Sequence, residues 1–250
     1  MSVARILIIA GSDSGGGAGV QADIRTVTML GGHAMTAITA ITAQNTLGVQ
    51  AVHAVPVEMV LAQMDSVISD IGVDAVKIGM IGSASAANAV AARLATLKGV
   101  PIVFDPVMVA TSGSVLADGA TIAAFEALMR IATLVTPNLP ELDALGGEDA
   151  ILAHGPALLV KGGHAEGTVV MDRLLTDAGE VARWSGERIE TRHTHGTGCT
   201  LASAIAIGLA QGLDLPGSIR RARDYVRVAL DNAPGLGAGH GPMGVPHVFA

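Results

Sequence analysis

The chain has 250 residues, half of them apolar, only 15% charged, and a formal net charge of −7. That length suits one α/β domain, and an acidic balance without a Lys/Arg cluster excludes the basic stripe that nucleic-acid binding uses. Cys199 is the sole cysteine, which excludes an intramolecular disulfide scaffold, and no stretch reaches the uncharged apolar length of a membrane span.

Short apolar runs alternate with longer segments of helical period, which predicts a mostly parallel sheet with crossover helices. Ile6-Leu7-Ile8-Ile9-Ala10 after Arg5 is shorter than a signal h-region and passes straight into glycines. It reads as a buried first strand, and a cytoplasmic protein is expected. Val20, Ile24, Val27 and Leu30 then recur at helical spacing up to Gly31-Gly32. Residues 35–43 suit a second strand, with Gln44-Asn45-Thr46 as a polar loop at its end, and 49–55 a short edge strand. After Pro56, Val57, Val60, Leu61, Met64, Val67, Ile68 and Ile71 form one apolar helical stripe. Strands are expected at 75–78, 102–105, 134–136 and 158–161, and helices at 83–98 and 121–131. Shorter strand-like pieces flank a turn at Asp177-Ala178-Gly179. Two helices, 198–212 and 215–232, precede a Gly- and Pro-rich tail from Pro234. No repeat or composition break appears, so residues 1–250 read as a single domain.

Ligands of open α/β sheets bind beyond the carboxyl ends of the strands. Ser12-Asp13, Gln44, Asp105, Asn138, Glu141 and Lys161 all fall at such ends. The first glycine loop, residues 11–19, contains Gly17-Ala18-Gly19-Val20-Gln21-Ala22, which satisfies G-x-G-x-x-A. The acidic residue that a dinucleotide fingerprint expects about 20 positions on is missing, which counts against NAD. No P-loop motif is present either. The second glycine element, His195-Gly196-Thr197-Gly198-Cys199-Thr200, directly precedes an apolar helix. Free amides and the helix dipole there make an anion site; the bland alternative is an N-cap by Thr197 or Thr200. In that first turn the Cys199 thiol is expected to have a lowered pKa and to serve as a general base. Asp105 and Glu141 supply carboxylates suited to Mg²⁺, which needs only one or two of them beside phosphates. Lys161 brings a cation for phosphate charge. His193 and His195 project in opposite directions on an extended chain, a poor metal pair. His33, His53, His154, His240 and His247 are scattered, and no histidine is assigned a role.

With these residues in hand, the chain resembles the hydroxymethylpyrimidine/phosphomethylpyrimidine kinases of the ribokinase-like superfamily. The resemblance rests on AGSDSGGGAGVQADI at 10–24, TAQNT at 42–46, KIGMIG at 77–82, DPVM at 105–108, TPNLPE at 136–141, VKGGH at 160–164 and THGTGCTLASAIA at 194–206. These pieces keep family order across nearly the whole length. The resemblance implies a three-layer α/β/α sandwich and the use of ATP and Mg²⁺. The implied reaction phosphorylates 4-amino-5-hydroxymethyl-2-methylpyrimidine to its monophosphate and then to the diphosphate, in thiamine biosynthesis.

The resemblance also assigns residues. Gln44 is matched to the residue that hydrogen-bonds the pyrimidine, with Ala18, Met80 and Val107 as apolar walls and Asp23 on the substrate side. Asp105 and Glu141 are matched to the metal, and Lys161 and Asn138 to the nucleotide and its phosphates. Gly196, Thr197, Gly198 and Cys199 are matched to the anion hole, with Cys199 where related sugar kinases have Asp. A homodimer is implied. Members more often have a second Ser or a Pro-Ser where this loop reads Asp13-Ser14-Gly15-Gly16, and Asn is common at the place of His193. Residues 145–156 read as too short for the helix usual before the VKGGH strand. The alternatives are a pyridoxine or pyridoxal kinase, a non-catalytic pyrimidine sensor and, more distantly, an NAD-dependent oxidoreductase.

Overall fold

The computed structural model describes residues 3–164 and 167–245; His247 lies outside them. Among the described residues, nine strands form one sheet in the order β3-β2-β1-β4-β5-β6-β7-β8-β9. They are β1 Arg5–Asp13, β2 His33–Asn45, β3 Gly48–Ala54, β4 Ala75–Ile78, β5 Ile102–Phe104, β6 Leu134–Val135, β7 Ala157–Val160, β8 Val169–Thr176 and β9 Gly179–Glu187. The strands from β2 to β7 are parallel, and antiparallel strands close both ends of the sheet. The order reverses beside β1: the chain visits β2 on one side of it and β4 on the other. This is the switch point at which such sheets open a ligand crevice.

Continuous apolar strands in the middle of the sheet require cover on both faces. Leu7, Ile9, Val76 and Ile78 face a layer made by α2 Val57–Asp70, α3 Ala84–Leu94, α4 Gly119–Met129, α5 Leu139–Ala144 and α6 Glu148–Leu152. Ile6, Ile8, Ala10 and Ala75 face α1 Gly19–Met29, α7 Thr197–Ala210 and α8 Leu215–Asp231. Each fully buried Leu or Ile contributes about 1.5–3 kcal/mol, so the period-2 alternation of β1 drives both layers. Among the described residues, aromatic packing is confined to one edge-on pair, Phe104 with Phe125, at 5.2 Å between centroids.

Four of the eight described α-helices start on a side-chain cap: Ser83 for α3, Asp118 for α4, Asn138 for α5 and Asp214 for α8. α7 does not, which bears on the site.

Three expectations need correction. Gln44 and Asn45 belong to β2 rather than to a loop, because pairing with β3 continues past a bulge between Ala43 and Gln44. Such bulges re-aim side chains. Residues 145–156 do contain a helix, the short α6, started by Gly146 and Gly147 at positive φ. The pieces around Asp177 form one long hairpin, β8–β9, extending the sheet.

Candidate active site

The carboxyl ends of β2 and β1 meet the start of α7. Asp13, the last residue of β1, is 4% exposed and organises the first glycine loop. Its Oδ1 accepts from the Gly15 amide at 2.8 Å, and its Oδ2 from the amides of Gly17 at 3.0 Å and Ala18 at 2.9 Å. His195 Nε2 lies 2.9 Å from the same Oδ2. Burial works to raise this carboxyl, yet His195 and the amides hold it below the usual carboxylate range. Gln44 stands next in the chain of contacts, with one end of its side-chain amide 3.2 Å from His195 Nε2.

The glycines are explained by close approach. A Cβ on Gly17 would fall 2.4 Å from His195 Cδ2, and one on Gly196 would fall 2.0 Å from the Gly17 carbonyl oxygen. The two glycine elements, far apart in sequence, are interlocked. Ala18, Met80 and Val107 are each partly exposed. Met80 lies over Gly11, where a Cβ would meet its sulfur at 2.9 Å.

α7 begins on Gly196 at φ +87°, with no side chain capping it. Neither Thr197 nor Thr200 fills the N-cap role. The helix end therefore keeps amide donors for an external anion. It points at charge already in place: a Cβ on Gly198 would lie 3.3 Å from Asp105 Oδ2 and 3.4 Å from Lys161 Nζ. Asp105 Oδ1 accepts from Lys161 Nζ at 2.7 Å and Thr136 Oγ1 at 3.1 Å. Lys161 is held protonated by Asp105 and Glu141 in spite of burial.

Glu141 and Asn138 form a reciprocal capping box on α5, each 2.9 Å bond running from one residue's backbone amide to the other's side chain. The Glu141 carboxylate also accepts from the Met108 backbone amide, and the side-chain amide nitrogen of Asn138 is left for other partners. Burial pushes Glu141 up to about 6, with Asp105 adding repulsion and Lys161 opposing it. Among the described residues no group of three or more acidic, His or Cys side chains could hold a metal by itself. A Mg²⁺ here would rest on two carboxylates and take its other ligands from phosphate and water.

Two expectations are overturned. Asp23 is fully buried, with both oxygens on Lys77 Nζ at 3.0 and 2.8 Å and Oδ1 also accepting from Ser203 at 2.7 Å. In this arrangement it has no surface for a substrate. Cys199 is half-buried, and its thiol is pushed up to about 11 rather than lowered. Burial dominates, the charges of Asp23 and Asp105 add to it, and Lys77 and the Gly19 amide only partly offset them. Two further residues had no role in the sequence reading. His195 joins Asp13 to Gln44. Lys77, fully buried in β4, pairs with α1 beneath the start of α7. A lysine inside a four-residue apolar strand was the available signal, since a buried ammonium requires a partner.

The profile of the family described as phosphomethylpyrimidine kinase matches residues 13–244. A hydroxymethylpyrimidine/phosphomethylpyrimidine kinase of Streptomyces coelicolor is 47% identical over 252 residues, covering 95% of this chain and 93% of that protein. The enzyme of the same description from Rhizobium meliloti is also 47% identical, covering 95% of each chain. Among solved structures, an ADP complex of Bacillus subtilis pyridoxal kinase superposes with a TM-score of 0.87 at 31% identity, covering 97% of both chains. A phosphomethylpyrimidine kinase from Clostridium difficile superposes with a TM-score of 0.77 at 35% identity, covering 90% of this chain and 98% of that one.

Proposed function

The chain belongs to the phosphomethylpyrimidine kinase family, and from that premise we propose that it phosphorylates 4-amino-5-hydroxymethyl-2-methylpyrimidine with ATP, then phosphorylates the monophosphate to the diphosphate. It is a kinase of thiamine biosynthesis on the ribokinase-like fold. The observation that carries the mechanism is the uncapped α7 N-terminus packed against the Asp105–Lys161 pair. A transferring phosphoryl group spreads negative charge over its oxygens, and fixed donors aimed at that charge are the main source of rate. The amides of Gly196, Gly198 and Cys199 and the Lys161 ammonium supply such donors, while the Thr197 amide turns back to the Thr194 carbonyl at 3.3 Å.

Gln44 reads the pyrimidine edge, donating and accepting through one amide, with Ala18, Met80 and Val107 as walls. Asp105 and Glu141 would hold Mg²⁺, which neutralises phosphate charge when bound. Their chemistry fits, because mutual repulsion contributes to the raised Glu141 pKa and a cation would relieve it. Lys161 and the Asn138 amide face the nucleotide phosphates. Cys199 stands where the hydroxymethyl group must give up its proton. The acceptor of the second step is already anionic and has no such need.

The enzyme works in the cytoplasm as a homodimer. No described helix is long and apolar enough to cross a membrane. The outer strand β3 edges the sheet beside exposed Ile41, Leu47 and Val52, an open edge of the kind that pairs or is covered. Likeness to pyridoxal kinases makes pyridoxal phosphorylation the second reading.

ATP consumption with Mg²⁺ tests the proposal, offering the hydroxymethylpyrimidine, its monophosphate and pyridoxine separately and identifying products by mass. Mono- and diphosphate formation with pyridoxine much slower is the expected result. Turnover of pyridoxine alone would replace the first reading by the second.

A further inference from the structure

Proton counting around Gln44 settles which way its amide faces. The two ends of an amide exchange by a half-turn, so only their partners' donors and acceptors distinguish them. One end lies 3.2 Å from Thr42 Oγ1 and the other 3.2 Å from His195 Nε2. Thr42 has one hydroxyl proton, and it goes to the Ser12 carbonyl oxygen at 2.9 Å, which can only accept. Thr42 therefore offers Gln44 a lone pair, and the amide end facing it must donate.

At the other end, Asp13 Oδ2 already accepts two amides, and the carboxyl is held ionised. His195 Nε2, 2.9 Å away, must therefore carry a proton. A protonated Nε2 has no lone pair for an amide donor, so the Gln44 atom 3.2 Å away is the oxygen, which shares that N–H with the nearer Asp13 carboxylate. His195 Nδ1 lies 3.4 Å from the Thr111 hydroxyl, which can donate or accept. The two counts are independent, and both put Nε2 of Gln44 beside Thr42 and Oε1 beside His195.

We propose that His195, braced by Asp13, and Thr42 are positioning residues that lock the Gln44 amide in this orientation, and that the lock directs the substrate hydroxymethyl group to the α7 N-terminus. The inference rests on the pyrimidine reading of Gln44. Around the pyrimidine ring, an accepting nitrogen, the donating amino group and the hydroxymethyl carbon follow one another. The free N–H of Gln44 suits the ring nitrogen, and the second lone pair of Oε1 suits the amino group. With Oε1 on the His195 side, the amino group lies on that side and the hydroxymethyl group lies beyond it. There the chain runs from His195 into Gly196 and Cys199. The reverse orientation would send the alcohol toward Thr42 and Ser12, away from the anion site.

The test compares kcat/KM for the aminopyrimidine with that for its 4-oxo analogue, whose ring N–H and carbonyl reverse the donor and acceptor order. In His195→Leu the amino-over-oxo preference is expected to fall about tenfold, the worth of one hydrogen bond, because Gln44 can turn over. His195→Gln, which keeps N–H donors for both Asp13 and Gln44, is expected to restore it. Thr42→Val loosens the lock from the other end without touching Asp13, and the preference should fall in the same direction. A merely structural role would lower both substrates alike, and an unchanged preference in both the Leu and Val variants would overturn the lock. Wild-type enzyme that turns over neither pyrimidine would instead overturn the reading of Gln44 beneath it.

Discussion

Lys77 and Asp23 are both fully buried, joined by bonds of 2.8 and 3.0 Å, and the lysine is held protonated by its neighbours. Breaking such a pair from one side strands a charge and costs about 3–5 kcal/mol, whereas replacing both partners by apolar groups is often neutral. Chemical denaturation of Lys77→Met should show that loss, and Asp23→Leu/Lys77→Met should recover most of it. Equal loss in single and double variants would mean that packing, not charge, dominates. Glu141 behaves differently. Its pKa of about 6 lies above the ordinary 4.5, so the fold favours its protonated form. Its contribution to stability is fully present below about pH 4.5 and is lost as the pH rises through 6. Glu141→Gln keeps an acceptor for the Asn138 amide but has no charge to bury. It should raise the Tm at pH 7, flatten the pH dependence between 4.5 and 6, and weaken Mg²⁺-dependent ATP binding. A lowered Tm would show that the charge is stabilising where it stands.

Among the elements, α7 is the one on which the proposed chemistry rests, and like α6 it starts on a positive-φ glycine with no side-chain cap. Gly198→Ala isolates its role. Alanine is the better helix former by about 1 kcal/mol, so the helix should persist. The added methyl would sit 3.3–3.4 Å from Asp105 and Lys161, in the space that the proposed function gives to phosphate oxygens. Removing one such donor site typically lowers turnover about 100–1,000-fold, and steady-state kinetics should show a loss of that order with the Tm little changed. Full activity would remove the α7 terminus from the mechanism. Much of this element was legible in the sequence, because two glycines before an apolar helix carry a local signal. Its electrostatics were not. The Cys199 thiol responds to Asp23 on α1, Lys77 on β4 and Asp105 after β5, and no local spacing reports three other elements. His195 was missed for the same reason: its partner Asp13 lies 182 residues away.

At the scale of the whole molecule, the sheet was readable because buried parallel strands are short apolar runs that periodicity detects directly. The strand ends then named Gln44, Asp105, Asn138, Glu141 and Lys161 as one crevice. What periodicity does not encode is the switch of direction beside β1, which brings residues 13–18 against residues 195–199 and makes two glycine loops one site. Asp23 shows the cost of a motif without that geometry, since its place in the first loop segment says nothing of its burial. We propose that one anion-binding helix end serves two acceptors, and that Cys199 matters only to the acceptor with a proton to lose. The most direct measurement is the rate of each phosphorylation separately, in wild type and Cys199→Ser, from pH 7 to 9. With a thiol at about 11, the first step should rise about tenfold per pH unit in wild type and fall sharply in the variant, while the second step changes little in either. Equal loss in both steps, or a first step that does not rise with pH, would contradict the account and leave Cys199 as a packing residue.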